Sequence, residues 1–314
     1  MPQDLATAPL YEDVAEGPPC GAAYWLQAAD GVRIRAAMWA EAGARGTILM
    51  FPGRTEYIEK YGRLAVDFRR AGYAMACIDW RGQGLADRAA APRDLGHVGS
   101  FEEYQNDVAA LVRGLQALGA PRPWHLVAHS MGGAIGLRAL YGAGLDVAGV
   151  VFSAPMWGIS LSAIGRLSAA ILGLVAGPFG VRTRFAPSTG PAKVIPFDGN
   201  RLTTDRGQFE YMERQTATHP DLALGGPSIG WLTAALTETA VLMAMPAPPR
   251  PALTFLGSEE KIVVKPAIIR RMETWPGGVL QEIPGARHEV LMEAPETRDA
   301  LIARALGWFD ASAR

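Results

Sequence analysis

The sequence predicts an α/β fold: a mostly parallel central sheet flanked by helices, with a mainly helical insertion. Three observations carry this. Short apolar runs alternate with helix-length stretches along most of the 314 residues, a rhythm that implies parallel strands covered on both faces. That rhythm breaks after Pro155 and resumes at the apolar run beginning with Ala252. The apolar run Trp124-His125-Leu126-Val127 leads into Ala128-His129-Ser130-Met131-Gly132-Gly133, which reads as a strand, a tight turn with serine at its tip, and a helix.

The elements follow in order. A hairpin opens the fold, with strands over 23–28 and 32–40 joined at Asp30-Gly31, a turn dipeptide. The apolar run 47–51 is a buried strand, followed by a helix over 58–71. The run 73–80 is the next strand, and a Gly-rich loop leads from it to a helix over 101–118. The serine turn and its helix come next, then a strand over 147–153. After the break, a strand over 252–256 precedes a helix near 266–274. A strand over 279–283 and a last helix near 295–309 close the chain.

Composition sets bounds. Hydrophobic content of 49% and charged content of 19% are ordinary for a globular enzyme. A net charge of −1 argues against general nucleic-acid binding, and no basic cluster strongly invites an anionic membrane. Two cysteines, Cys20 and Cys77, make a disulfide framework unexpected, and Cys77 reads as a small buried hydrophobe. No Cys/His cluster has metal-ligand spacing and no Gly-rich loop resembles a phosphate cradle, so neither metal nor cofactor is expected. The first 21 residues carry Asp4, Glu12, Asp13 and Glu16, with no basic start or apolar centre. They do not read as a secretory signal, and the expected location is cytoplasmic.

The serine turn carries the chemistry. A hydroxyl is a weak nucleophile and needs a neighbouring base. A strained strand-to-helix turn exposes Oγ and frees the next backbone N–H, the nucleophile elbow of an α/β-hydrolase. Ala128 and Gly132, two before and two after Ser130, are small enough for strand and helix to approach. The chain has five histidines. His125 lies inside a strand, His129 should point away from Oγ, His97 sits in an early loop and His219 in the insertion. His288 follows a late strand and precedes the last helix, where this fold places its base. The acid should follow the strand 252–256, where Glu259 and Glu260 compete. The oxyanion requires two backbone donors, by position the N–H groups of Met131 and, after the strand 47–51, of Arg54. The Arg54 side chain is then free for other work, a surface charge, or a partner of Glu56.

Several stretches, in consistent order along nearly the whole chain, resemble one family. They are 51–56 with Lys60-Tyr61, 78–84, 95–98, the elbow, 153–159, 225–227 and the segments around Glu260 and His288. The chain is similar to the monoacylglycerol lipase-like branch of the α/β-hydrolases, and most resembles the bacterial L2-type lysophospholipases. Its Pro-Gly-Arg-x-Glu loop and Ala-His-Ser-Met-Gly-Gly elbow resemble that type more than ordinary monoacylglycerol lipases. The family pattern Gly-x-x-Asp-x-Ile/Val-Val selects Glu260 over Glu259. Departures are Ala128, where Gly is usual, Pro52-Gly53 in place of His-Gly, and Ala86 in place of Ser. The segment 78–84 is expected to be scaffold.

The resemblance implies a serine hydrolase that cleaves a single-chain lipid ester, a lysophospholipid or monoacylglycerol, through an acyl-enzyme on Ser130, with His288 as base and Glu260 as its orienting acid. A carboxylesterase for short soluble esters is the alternative, and a non-catalytic ligand-binding hydrolase fold a remote one. Residues 1–155 and 238–314 are expected to form the core and 156–237 a cap. Within the cap, the apolar run 167–177, ended by Pro178, is too short to span a bilayer. It could roof an acyl cleft, pack plainly on the core, or make transient contact with the inner membrane surface. Trp157, Trp231, Met212 and Met243 line the cleft or belong to the core. Arg201, Asp205, Arg206 and Arg214 meet a polar head group or only solvate the cap.

Overall fold

The structure, a computed structural model, describes residues 5–142, 144–161 and 180–312. Its strands are β1 (Thr7–Ala8), β2 (Gly21–Gln27), β3 (Arg33–Trp39), β4 (Thr47–Phe51), β5 (Ala74–Asp79), β6 (Trp124–His129), β7 (Gly149–Ser153), β8 (Leu253–Gly257) and β9 (Val279–Ile283). They form one sheet in the order β1-β2-β3-β5-β4-β6-β7-β8-β9. The first three strands pair antiparallel, β3 antiparallel to β5, and every later pairing is parallel.

The two-residue alternation of a strand sorts side chains to two faces. Leu49, Phe51, Leu126, Ala128, Val150 and Phe152 enter one core layer, while Ile48, Met50, Val127, Val151, Leu253 and Phe255 enter the other. The first layer is covered by helices α3 (Glu103–Ala117) and α4 (Met131–Tyr141). The second is covered by α2 (Gly62–Arg70) and α8 (Pro295–Ser312). Because β4, β6, β7 and β8 run parallel, their C-terminal ends share one edge. The loops after Phe51, His129, Ser153 and Gly257 therefore converge there.

Two elements were not anticipated: β1 and a short helix α1 (Glu12–Ala15). The helix expected over 58–71 instead opens with a 3-10 turn, Ile58–Tyr61, before α2. The cause is a buried charge. Glu59 turns inward to Arg35, whose Nη1 and Nη2 donate to it at 2.8 and 2.7 Å. Asp79 takes the Arg35 Nε at 2.7 Å and the Ile58 N–H at 2.9 Å, so the turn is tied to β5. Gly62 is needed at the junction, since a Cβ there would lie 1.9 Å from the Ala15 carbonyl oxygen. The segment 78–84 is scaffold: besides the Asp79 ties, Arg81 binds Asp107, Asp30 and Glu103.

Between β7 and β8 lie α5 (Arg206–Thr218) and α6 (Ile229–Ala244), and α7 (Lys265–Glu273) follows β8. Asp205 caps α5 by accepting the Gln208 N–H at 2.7 Å, and Ser228 caps α6 by accepting the Trp231 N–H at 2.9 Å. Helix α5 packs on α1, where the Tyr211 hydroxyl donates to the Ala15 carbonyl at 2.7 Å. Helix α6 crosses residue 237 without a break and is pinned to α4 by the Arg138–Glu238 pair at 2.6 Å. The apolar run 167–177 lies outside the described residues. Among the described residues no helix is long and apolar enough to cross a membrane.

Candidate active site

Ser130 sits between the last residue of β6 and the first of α4, at φ 49° and ψ −117°. A non-glycine residue there costs on the order of 1–3 kcal/mol and persists only when its surroundings fix it. They do. The Ser130 N–H donates to the Ser153 carbonyl at 3.0 Å, and its own carbonyl accepts from Gly133 and Met156 N–H at 2.8 Å each. Gly132 lets the turn press against β4, for a Cβ there would meet the Phe51 carbonyl oxygen at 2.1 Å. The Ala128 methyl is accommodated because Gly136 faces it: a Cβ on Gly136 would lie 3.2 Å away.

His288 reaches Ser130 from the loop after β9. Its Nε2 lies 2.9 Å from Ser130 Oγ and its Nδ1 2.6 Å from Glu260 Oε2. All three residues are buried. With Glu260 ionised, Nδ1 carries the proton and Nε2 is left to accept from the serine hydroxyl. The second Glu260 oxygen accepts the Ile262 and Val263 N–H groups at 2.5 and 3.1 Å. Burial pushes this carboxyl up, but the His288 bond and charge and the two backbone donors outweigh it and hold the group below its ordinary range. Gly257 brings the acid and base loops together, since a Cβ there would lie 2.2 Å from the Arg287 carbonyl oxygen. Glu259 points to solvent, with Lys261 3.9 Å away.

The loop after β4 faces the serine. A Cβ on Gly53 would lie 3.0 Å from Ser130 Cβ. Gln83 pins the loop, donating to the Gly53 carbonyl at 2.9 Å and accepting the Thr55 N–H at 3.1 Å. The N–H groups of Arg54 and Met131 have no acceptor among the described residues, so both are available to a ligand. The Arg54 side chain does not pair with Glu56; its Nη2 donates to the Gly225 carbonyl at 2.6 Å.

Sequence reasoning missed a buried charge network beneath the site. Lys60 Nζ lies 2.7 Å from both Glu56 and Glu289. Glu56 also accepts the Gly53 N–H and, at 2.5 Å, the Tyr61 hydroxyl. His129 Nε2 lies 3.4 Å from Glu56 and 3.3 Å from Glu289, while its Nδ1 faces the Ser153 carbonyl at 3.0 Å. Burial lowers the His129 pKa, but the Glu289 and Glu56 carboxylates outweigh it and raise it. Glu289 is held well below its ordinary value by His129 and Lys60, against the upward push of burial. The network ties the Gly53 loop to the residue after His288, and the His129 and His288 rings lie 4.8 Å apart. Glu56, His129 and Glu289 offer ligand atoms within 4.8 Å of one another. The Lys60 ammonium already fills the cation position between the carboxylates, so this donor set fits an internal ion pair rather than a metal. The one signal in the sequence was the i,i+4 spacing of Glu56 and Lys60.

The remaining residues have structural partners. His125 is buried against Phe309, its pKa lowered to about 4 by burial. His97 bonds Ser228 at 2.7 Å, and His219 stacks on Tyr11 beside Asp13. Trp157 is core, stacked on Trp275 with Nε1 donating to the Gly133 carbonyl. Met212 is buried, Met243 packs partly buried at the core edge, and Cys20 and Cys77 are unpaired. Between β7 and β8, Arg206 lies over Phe197, Arg214 pairs with Glu16, Asp205 caps α5, and the Arg201 carbonyl accepts the His288 N–H at 3.4 Å.

A family model described as serine aminopeptidase, S33, matches residues 42–295. The chain is 31% identical over 274 residues to lysophospholipase L2 of Escherichia coli strain K12, covering 84% of this chain and 80% of that protein. It is 29% identical over 259 residues to a probable lysophospholipase L2 of Haemophilus influenzae, covering 82% of each. Among solved structures it is similar to a soluble variant of monoglyceride lipase from Saccharomyces cerevisiae, with a TM-score of 0.71 and 20% identity over 91% of this chain and 96% of that one. It is also similar to a monoacylglycerol lipase of Paleococcus ferrophilus, with a TM-score of 0.67 and 20% identity over 88% and 98% of the two chains. At these identities the structural likeness speaks for the fold.

Proposed function

From the premise that the chain belongs to the serine aminopeptidase S33 family of α/β-hydrolases, we propose that it hydrolyses the ester of a single-chain lipid, a lysophospholipid or monoacylglycerol. The observation carrying this reading is the hydrogen-bonded line from Glu260 through His288 to Ser130, at 2.6 and 2.9 Å. In the proposed reaction His288 takes the Ser130 proton as Oγ attacks the ester carbonyl. The Arg54 and Met131 N–H groups bind the developing oxyanion. His288 then protonates the leaving alcohol and activates the water that releases the fatty acid, while Glu260 stabilises the imidazolium. The identity to L2-type lysophospholipases supports a lipid ester as substrate. An amino-terminal peptide is disfavoured because the buried carboxylates beside the site, Glu56 and Glu289, are already paired with Lys60.

The cap is proposed to be the insertion 156–237. We place the enzyme in the cytoplasm, working at the inner membrane face. Val194 and Ile195 are 86% and 50% exposed next to Lys193, apolar groups of the kind that dip into a lipid surface.

A panel of monoacyl esters, from acetate to long-chain, tests the reading. Each methylene buried in an acyl cleft contributes about 0.8 kcal/mol, so kcat/KM is expected to rise about fourfold per CH₂ until the cleft is full. Two-chain lipids should be poorer substrates. With the long-chain ester carried on anionic vesicles, Val194→Asp should slow hydrolysis, and with the monomeric ester it should not. A flat response to chain length would leave the carboxylesterase reading, and equal rates for Val194→Asp on vesicles would remove the surface contact.

A further inference from the structure

Arg54 occupies the oxyanion loop, yet its side chain plays no part in holding that loop. The ties there belong to Gln83 and Glu56. Its guanidinium lodges instead where the segment 94–97 meets the segment 224–231. The two are stitched together by the Gly96 N–H to Gly226 carbonyl bond at 3.2 Å and the Ser228 N–H to Gly96 carbonyl bond at 2.8 Å. The site is shaped around the group. Gly96 has no room for a side chain, because a Cβ would lie 2.6 Å from Arg54 Nη2 and 3.3 Å from Leu224. The Trp231 ring lies under the guanidinium, 5.1 Å from its carbon, with the Trp231 Nε1 turned to the Tyr104 hydroxyl at 3.3 Å.

Most of the buried cations have a carboxylate partner, the exception being Arg271, which donates to the Met245 and Leu242 carbonyls. Arg35 faces Glu59 and Asp79, Lys60 faces Glu56 and Glu289, and Arg81 faces Asp107. Among the described residues, no carboxylate lies within ion-pair distance of Arg54. A backbone carbonyl accepts from Nη2, and Nε is buried with no acceptor. Burial lowers its pKa to about 10, with a small opposing push from Tyr104, which leaves it charged at neutral pH. A half-buried guanidinium with no carboxylate partner, on the loop that faces Ser130, can serve as a receptor for an anion. A planar fork of N–H donors suits the oxygens of a phosphate. Of the ester's two halves, only the leaving alcohol can bring one.

We propose that the Arg54 guanidinium binds the phosphate of the substrate's leaving group, which makes this site selective for lysophospholipids over monoacylglycerols. The proposal rests on the lipid-ester reading above and adds the headgroup chemistry to it. Arg54 then has two separate duties: its backbone N–H serves every ester alike, and its side chain serves those with a phosphate.

The ratio of kcat/KM for a lysophospholipid to that for a monoacylglycerol of the same acyl chain isolates the side chain, because the oxyanion contact is common to both. Arg54→Met is expected to lower this ratio by about tenfold or more, chiefly through KM, since a hydrogen bond to a charged group is lost from one substrate alone. Arg54→Lys, which keeps the charge and loses the fork, should fall between. Glycerophosphocholine should inhibit monoacylglycerol hydrolysis competitively in the wild type and more weakly in Arg54→Lys, a variant that keeps the cation should Arg54→Met fold poorly. Inorganic phosphate should inhibit far less, because it lacks the glycerol that places it. An unchanged ratio, or equal losses on both substrates, would overturn the proposal and leave Arg54 as a tie to Gly225. Equal inhibition by inorganic phosphate would overturn the headgroup assignment in favour of a free anion. Failure of the lipid-ester reading gives a different result: a wild type indifferent to chain length on both substrates.

Discussion

Ser130→Ala is expected to abolish covalent labelling by a fluorophosphonate and to lower kcat on a long-chain monoacyl ester by about a million-fold. The substitution removes one oxygen atom. The backbone that forces φ to 49° at this position is held by Ser153, Gly133 and Met156 through main-chain bonds that alanine keeps, so the fold should be intact. Labelling intensity on a gel and initial rates give the answer together. Labelling that persists would mean that another residue is the nucleophile.

Glu260→Gln should lower kcat by about ten-thousand-fold, since the imidazolium that forms on His288 loses its counter-charge and the amide can present the wrong face to Nδ1. Glu259→Gln, at an exposed position whose nearest cation is 3.9 Å away, should change kcat by less than about twofold. The reverse ranking would move the acid one residue upstream. The same variant carries a stability signature. Glu260 is held below its ordinary value of 4.5, with burial pushing up and the stronger pull of His288 and two backbone donors pushing down. A depressed carboxyl stabilises the fold fully above its unfolded pKa and loses that contribution as pH falls through the folded one. The Tm gap between wild type and Glu260→Gln should therefore be constant above about pH 5 and close in more acid solution.

What the sequence made legible was local. Small residues flanking a serine after an apolar strand set the elbow, because strand and helix cannot approach otherwise. The order serine, acid, base along the chain then limited where partners could lie. The structure joins His288 to Glu260, 28 residues before it, and to Ser130, 158 residues before it. What stayed hidden was long-range polar packing. Lys60 and Glu289 are 229 residues apart, and nothing in either local pattern points to the other. The broken helix over 58–71 has the same origin: its apolar spacing suits a continuous helix, but Glu59 must turn to Arg35 on β3. Arg54 shows the limit most plainly. Glu56 was its obvious neighbour in sequence, yet Lys60 and Tyr61 claim that carboxylate and the guanidinium turns away to Gly225.

The central claim is that Ser130 accepts the acyl chain of a single-chain lipid ester. Rapid acid quenching of the enzyme during turnover of a long-chain lysophospholipid, followed by peptide mass spectrometry, measures this directly. The account predicts a fatty-acyl adduct on the peptide holding Ser130, formed within one turnover and absent from Ser130→Ala. It also predicts that acetate esters acylate this serine more slowly than the long-chain substrate. An adduct on another residue, or faster acylation by acetate esters than by the lipid, would contradict it.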